Sequence, residues 1–233
     1  MSTLYLIPNL LGDTPPEQVL PELNTGIIGS LSHFFVEDIR NARRFLKRVV
    51  PEIHIDGLHF LELNKRTSDA EQQQFLEVLL GGNDAGILSE AGCPGIADPG
   101  AEVVALAHRH GIRVVPLVGP SSIFLALMAS GMNGQSFAFT GYLPVKQPER
   151  VRRLLQLEKL VLTLGQSQIF METPYRNNAL LSDLLKNCQP GTRLCIAADI
   201  TTSQESIITQ TIAQWRKSPP DLDKQPVIFV MGR

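Results

Sequence analysis

The sequence has few cysteines, no excess of basic residues and no long apolar run. Its three cysteines are an odd number without metal-ligand spacing, which indicates reduced thiols in a cytoplasmic protein. No apolar run is long enough to cross a bilayer, and the first residues lack the basic segment of a secretory signal. Lysine and arginine total 21 against 23 acidic residues, a net charge of −2. We therefore expect a soluble, cytoplasmic chain without a basic coat, in which only a local patch could attract polyanions.

Short apolar strands alternate with helical patterns in the first half of the chain. Strands are predicted at residues 3–7, 34–38, 85–89 and 112–118. Helix starts are predicted at the capping-box pair Ser68 and Glu71 and at Asp98 with Pro99. This alternation predicts parallel β-α-β units with helices on both faces of the sheet.

The pattern changes in the second half. Residues 193–200 and 206–212 are successive strand-like segments, which predict an antiparallel pair. We therefore expect an α/β fold with two α/β domains and a ligand cleft between them. Residues 1–118 would form a doubly wound parallel sheet, and residues 119–233 would form a mixed sheet.

Three permissive loops follow predicted strands: PNLLGD, SEAGCPGIADPG and VGPSS. Ligands of parallel α/β sheets lie outside the carboxyl ends of strands, often at a helix N-terminus. Any one of these loops could be a simple tight turn, but their joint occurrence predicts a crevice lined by backbone. At Gly92 the backbone is expected to approach the ligand closely. None contains lysine, a phosphate cradle or a dinucleotide fingerprint. The crevice therefore suits a ligand with adenosine, amine and carboxylate groups but no phosphate, and Ser121 and Ser122 could bind the carboxylate.

Basic residues concentrate on the predicted helix that follows Glu37 and Asp38. Arg40, Arg43 and Arg44 lie on and beside one face of it. RNA-binding proteins need such cations for phosphate contacts, whereas a charge run of this kind is otherwise a solvated helix face. A second cluster comprises Lys146, Arg150, Arg152 and Arg153.

Five segments resemble, in order, the motif blocks of a known family: VEDIRNARRFL, SEAGCPGIADPG, VVPLVGPSSIFLALMASG, FTGYLP and IFMETPYR. The chain resembles the bacterial small-subunit rRNA ribose 2′-O-methyltransferases. That family belongs to the tetrapyrrole-methylase-like (class III) S-adenosylmethionine-dependent methyltransferases. The resemblance covers Leu4 to Arg233 and implies S-adenosylmethionine in a cleft between two domains, a homodimer, and RNA of the small ribosomal subunit as substrate.

The sequence departs from the family pattern at three places. The usual glycine between Pro8 and Asn9 is missing, Cys93 stands where threonine is usual, and the further C-terminal segment of fuller members is not present. These differences bear on the substrate more than on the cofactor.

Matching the blocks position by position implies a set of cofactor contacts. They fall on Pro8, Leu10, Cys93, Ile96, Ser121, Ser122, Met171, Ala198 and Pro226. Methyl transfer from a sulfonium needs alignment of the acceptor, no metal and, for a ribose hydroxyl, a base. Glu37 is the first candidate base, followed by Glu90 and Glu172, although each could instead belong to an ion pair with Arg40 or Arg176.

Two other functions fit the same sequence. One is methylation of a tetrapyrrole or a diphthine-type acceptor, because relatives of the same fold act on both. The other is a non-catalytic module that binds S-adenosylmethionine without turnover.

Overall fold

The computed structural model describes residues 2–63 and 69–233, with side chains from residue 73 onward in the second range. The predicted cap formed by Ser68 and Glu71 lies outside the described residues. The chain divides into two compact units, Met1–Ser121 and Ser122–Arg233. The boundary predicted at residues 118 and 119 lies close to this division.

The first unit is built around one parallel sheet. Its strands are β1 (Thr3–Ile7), β2 (His33–Val36), β3 (His59–Glu62), β4 (Ala85–Leu88) and β5 (Arg113–Pro116). Its helices are α1 (Pro16–Val19), α2 (Glu22–Ser30), α3 (Ile39–Val49), α4 (Asp69–Leu80) and α5 (Ala101–Arg109). Within the described residues the strand order is β3-β2-β4-β1-β5, with every neighbouring pair parallel, which confirms the predicted doubly wound sheet.

Helices cover both faces of this sheet. Successive strand residues point to opposite faces, and the residues on both faces are apolar. Phe34 of β2 packs with residues of α2 and α3, whereas the neighbouring Phe35 packs with residues of α4 and α5. Both phenylalanines are fully buried. Strand β3 was not predicted, since it has no buried residue and its sequence carries little strand signal.

The second unit contains a mixed sheet. Its strands are β6 (Phe137–Tyr142), β7 (Ser167–Met171), β8 (Arg193–Ala198), β9 (Ser206–Thr211) and β10 (Val227–Gly232). Its helices are α6 (Ser122–Ser130), α7 (Gln147–Leu164), α8 (Asn177–Asn187) and α9 (Ile212–Trp215). The order is β6-β7-β10-β8-β9, with only β6 and β7 parallel among the pairs of this described sheet. The predicted antiparallel pair is confirmed as β8 with β9.

One member of the second basic cluster belongs to the core of this unit. Arg150 is 6% exposed, and its guanidinium contacts Asp183 at 2.7 Å and the Val145 carbonyl at 2.7 Å. Gln147 donates a hydrogen bond to the other oxygen of Asp183. Arg150 therefore joins α7 to α8 and is not available to a surface ligand, contrary to its inclusion in the cluster.

Within residues 2–63 and 69–233, no helix combines the length and the apolar character that a membrane span requires.

Candidate functional site

The three permissive loops of the first unit follow β4, β1 and β5, which are neighbours in the sheet. Because these strands are parallel, the loops meet at one edge. The Asn9 amide donates to the Gly92 carbonyl at 2.8 Å, and the Gly92 amide donates to the Asn9 carbonyl at 3.2 Å. The structure thereby brings Pro8, Leu10 and Gly92, three predicted cofactor contacts, onto adjacent loops.

The loops after β1 and β5 are in equally close contact. A Cβ atom placed on Gly119 would lie 2.5 Å from Pro8 Cβ, a separation that real Cβ atoms do not show. Glycine is required here because it has no Cβ atom, and not because of its backbone conformation, since its φ is not positive. The position of Pro8 is therefore set by the backbone at Gly119.

The glycine-rich loop between β4 and α5 has an unusual backbone. Gly92 and Gly95 have φ of +70° and +77°, and Ala97, which is not glycine, has φ of +65°. Strained backbone of this kind is concentrated at ligand sites. The helix after the loop begins at Ala101 with Gly100 (φ +129°) as its N-cap, so the predicted start at Asp98 and Pro99 is wrong.

The surface of this loop has the features that S-adenosylmethionine requires. A Cβ atom on Gly92 would lie 3.3 Å from the Leu11 side chain, so the backbone itself forms this surface of the loop. Ile96 is 52% exposed and offers an apolar surface beside it. Backbone amides next to an apolar side chain are a suitable environment for an adenosyl group, and the residues present fit the cofactor.

Cys93 lies in the same loop and contacts the loop after β5. Its Sγ donates to the Pro120 carbonyl at 3.6 Å, and its thiol is hydrogen-bonded to the Ser121 side chain. Burial raises the pKa of the Cys93 thiol, and the hydrogen bond to Ser121 offsets part of that rise. Cys93 thus joins the glycine-rich loop to the loop after β5. Ser122, the other predicted serine, is the first residue of α6.

The predicted contacts of the second unit also lie at one edge of their sheet. Met171 pairs with Ile228, Ala198 pairs with Val227, and the Pro226 carbonyl accepts a hydrogen bond from the Asp199 amide at 3.0 Å. Asp199 has φ of +50°, and burial raises the pKa of its carboxyl. Three segments distant in sequence therefore meet where the structure also has backbone strain.

Glu172 follows Met171 and is engaged in an ion pair. Its carboxylate accepts two hydrogen bonds from Arg176, at 2.7 and 2.8 Å, and one from the Thr173 amide. Burial raises the pKa of Glu172, but the hydrogen bonds from Arg176 and Thr173 outweigh it, and the pKa lies below its usual value. This geometry favours the structural role over that of a base.

Glu37 and Glu90 both lie at the carboxyl edge of the first sheet. Glu37 follows β2 and is half-buried. Glu90 follows β4, is exposed, and accepts a hydrogen bond from the Asn41 side chain at 2.6 Å. The backbone N–H of Asn41 donates to the capping side chain of Asp38 at 2.8 Å, which holds the backbone from which the Asn41 side chain reaches Glu90. Of the two carboxylates, Glu90 has the better-defined orientation.

Glu90 borders a cavity that we call the α3 groove. It is a recess of about 310 Å³ between the first loop, α3 and the start of the glycine-rich loop. Its polar lining includes Asn41, Arg44 and Glu90, and its apolar lining includes Leu10, Leu11 and Phe45.

The cations of α3 are in different states. Arg40, Arg43 and Arg44 are exposed, and Arg43 lies over the ring of Phe60 at 5.4 Å. Two further cations of this helix have partners: Arg48 contacts Asp13 at 2.8 Å, and Lys47 donates to the Pro51 carbonyl. The predicted substrate-binding arginines thus lie on the surface of α3, and Arg44 lines the groove.

Among the residues that the structure describes, no three histidine, cysteine, aspartate or glutamate side chains come together as a metal site would require.

Sequence comparison identifies the family. Residues 27–215 match the family described as Tetrapyrrole (Corrin/Porphyrin) Methylases. The chain belongs to this family. It is accordingly a methyltransferase with S-adenosylmethionine as its methyl donor.

Individual relatives have a more specific name, Ribosomal RNA small subunit methyltransferase I. The protein of this name from Pseudomonas aeruginosa is 33% identical over 200 residues, which cover 84% of this chain and 68% of the relative. The Bacillus subtilis protein is 31% identical over 215 residues, 92% of this chain and 69% of the relative. The Vibrio cholerae protein is 29% identical, with 91% and 69% covered.

Solved structures agree on the fold. The methyltransferase CobJ superposes with a TM-score of 0.65 at 17% identity, covering 100% of this chain and 93% of that one. The uroporphyrin-III-C-methyltransferase from Thermus thermophilus gives a TM-score of 0.60 at 17% identity, covering 100% and 94%. The expected two-domain tetrapyrrole methylase architecture is therefore confirmed.

Two asparagines of this site were not predicted from the sequence. The Asn9 side chain donates to the carbonyls of Ser89 and Glu90, at 2.8 and 3.1 Å, and so joins the first loop to the glycine-rich loop. Asn41 orients Glu90. The only sequence signal for Asn41 is its place three residues after the helix cap Asp38, where a polar side chain could turn back toward the strand ends.

Proposed function

We propose that the chain methylates a ribose 2′-hydroxyl of small-subunit ribosomal RNA. The observation that carries this proposal is the α3 groove, where exposed Arg44 and the carboxylate of Glu90 lie beside Leu10, a predicted cofactor contact. Cations that could bind RNA phosphates are thus next to the loops that fit S-adenosylmethionine. The names of the relatives support the same substrate.

The exposed arginines of α3 suit this role. A protein with a net charge of −2 has no overall field to attract RNA, so that binding must come from a local patch. Arg40, Arg43 and Arg44 form such a patch on one helix. Each phosphate contact should contribute about 0.7 to 0.9 to the slope of log affinity against log salt.

Each group has a part in the reaction. When bound, S-adenosylmethionine supplies an electrophilic methyl group. The backbone at Gly92 and the side chains of Leu10 and Ile96 would hold it in the first unit. We propose Glu90 as the group that accepts the hydroxyl proton, because Asn41 holds its carboxylate in place, with Glu37 as the second candidate. Alignment of the two reactants supplies most of the acceleration, since proximity can contribute roughly 7–11 kcal/mol.

The test is incubation of the protein with labelled S-adenosylmethionine and undermodified small ribosomal subunits, followed by nuclease digestion and identification of the labelled nucleoside. Label in a 2′-O-methylated nucleoside is the expected result. No label in RNA, together with label in a tetrapyrrole supplied in a parallel incubation, would support the alternative substrate. Cofactor binding without transfer to any acceptor would support a non-catalytic module.

We also propose that the chain acts as a homodimer in the cytoplasm, where ribosomal subunits are found. Phe124 and Met128, one turn apart on α6, are 55% and 77% exposed. Neighbouring exposed apolar side chains are a feature of protein interfaces. Light scattering should give twice the chain mass, and Met128→Glu should lower it; a monomeric mass for the unaltered protein would contradict the proposal.

A further inference from the structure

We infer that the α3 groove is the subsite for one ribose-phosphate unit of the RNA, in which Arg44 binds the phosphate and Glu90, positioned by Asn41, binds the 2′-hydroxyl. This inference rests on the proposed function and assigns the side chains that distinguish RNA from DNA.

The hydrogen bonds around Glu90 are the first support. Its side chain accepts from Asn41, and its carbonyl accepts from Asn9, although the residue is exposed. Ordering an exposed side chain costs conformational entropy, and exposed polar contacts contribute little stability in return. The orientation of the Glu90 carboxylate is therefore set before a ligand binds, which lowers the entropy cost of binding one.

The lining of the groove is the second support. The buried ring of Phe45 and the side chains of Leu10 and Leu11 provide an apolar surface, on which the carbon face of a sugar can rest. Arg44, Arg48 and Glu90 provide two cations and one anion. The guanidinium of Arg48 already donates to Asp13 and to the Thr14 carbonyl. A ribose-phosphate unit has the complementary pair of groups, a phosphate that accepts hydrogen bonds and a hydroxyl that donates one.

The size of the groove is the third support. Its volume of about 310 Å³ is near the lower end of the range for small-molecule sites, about 300–1,000 Å³. Exposed Asn41, Arg44 and Glu90 form its rim, so the rest of a polymer can continue into solvent. An open, small recess suits one unit of a chain.

The experiment compares binding of a labelled single-stranded RNA oligonucleotide with that of the DNA of the same sequence, to protein saturated with S-adenosylmethionine. The unaltered protein should favour RNA by about tenfold, as expected for one hydrogen bond to a charged group. Glu90→Ala and Asn41→Ala should each remove most of this preference. Arg44→Ala should weaken both ligands equally and lower the salt slope by about 0.7. Arg113→Ala, an exposed arginine at the start of β5, is the matched control and should change neither quantity.

A double-mutant cycle tests whether Asn41 acts through Glu90. If it does, Asn41→Ala has no further effect on the RNA preference once Glu90→Ala is present, because coupled residues are not additive. Independent effects of the two substitutions would overturn the positioning role. A loss of S-adenosylmethionine affinity in Arg44→Ala would overturn the subsite, since the groove would then belong to the cofactor.

The same variants separate this inference from the proposed function. If the unaltered protein labels ribosomal RNA but Asn41→Ala and Glu90→Ala keep the full RNA preference, the subsite alone is wrong. If both variants lose the RNA preference as expected but the unaltered protein labels no RNA, the methylation proposal fails and the groove remains an RNA-binding site.

Discussion

Gly119→Ala is the most direct test of the way in which the loops form the cofactor site. The new Cβ would meet Pro8 Cβ at 2.5 Å and the Leu20 side chain at 3.2 Å. Leu20 can rotate, but the proline ring is fixed to the backbone and cannot. The loop after β1 must therefore move. Overpacking of this kind costs about 1–3 kcal/mol of the free energy of unfolding.

The displacement should also reach the ligand, because Pro8 and Leu10 are predicted cofactor contacts on the same loop. Calorimetric titration should show S-adenosylmethionine binding about tenfold weaker, equivalent to about 1.4 kcal/mol. Urea unfolding measures the stability in parallel. Unchanged affinity together with an unchanged urea midpoint would refute both the close contact and the role of the first loop.

Gly26→Ala is the matched control for this change. Gly26 lies within α2 and has no neighbouring atom within 4 Å of a new Cβ. An alanine there should raise the free energy of unfolding by roughly 0.5–1 kcal/mol, because glycine is unfavourable inside helices. Cofactor affinity should stay as it is. Opposite effects of one methyl group at the two positions would locate the constraint at Gly119.

Three further predictions concern the second unit and the thiols. Arg150→Met should lower the free energy of unfolding by about 3–5 kcal/mol in urea, because it leaves Asp183 buried without its cation. Glu172→Gln should reduce stability at pH 7, and the difference from the unaltered protein should shrink as the pH falls into the acid range, measured by urea unfolding across that range. Because folding lowers the pKa of Glu172, its ion pair stabilises the protein at pH values above the usual glutamate pKa of about 4.3. This stabilisation is lost as the pH falls through the folded-state pKa. Cys188, whose burial raises its pKa to about 12, should resist alkylation at pH 8, whereas half-buried Cys93 should react slowly and be protected by S-adenosylmethionine, as mass spectrometry would show.

Each of these has an outcome that would contradict it. A fully stable Arg150→Met protein would mean that the pair with Asp183 is solvated. A stability difference for Glu172→Gln that stays constant as the pH falls would show that Glu172 does not contribute to the acid response. Alkylation of Cys93 at the same rate with and without the cofactor would place the ligand away from the glycine-rich loop.

The meeting of the loops at one edge of the first sheet could be predicted because the pattern indicated parallel strands. Parallel strands end on one side, so that the permissive loops after the first, third and fourth predicted strands lie at the same edge. The start of α5 could not be predicted in the same way. Asp98 and Pro99 are favourable residues for a helix start, but Gly100 adopts φ +129° and delays the helix to Ala101. The local preference of Asp98 and Pro99 for a helix start is therefore overridden by the backbone conformation of the loop.

The hydrogen-bond partners of side chains were harder to predict than the helices and strands. Arg150 carries the same charge as Arg152 and Arg153, and nothing in the sequence signals that it is buried against Asp183, 33 residues away. The hydrogen bond between Asn41 and Glu90 joins residues 49 apart, and no periodicity signals it. Pairs of this kind depend on how a helix packs on a sheet, which a single sequence does not specify.

The cations of α3 show why burial and pairing, and not charge alone, define a binding surface. Arg48 is held by Asp13 and by the Thr14 carbonyl, and Lys47 by the Pro51 carbonyl at the end of the helix. Arg48 also lines the α3 groove, but its guanidinium already donates to Asp13 and to the Thr14 carbonyl. Arg44 borders a groove that also contains the carboxylate of Glu90, which Asn41 orients. A positive patch alone would bind DNA and RNA equally, because both have the same phosphates. On the proposal that Glu90 binds the 2′-hydroxyl, a preference for RNA over DNA measures the contribution of Glu90, whereas affinity alone measures that of the cations.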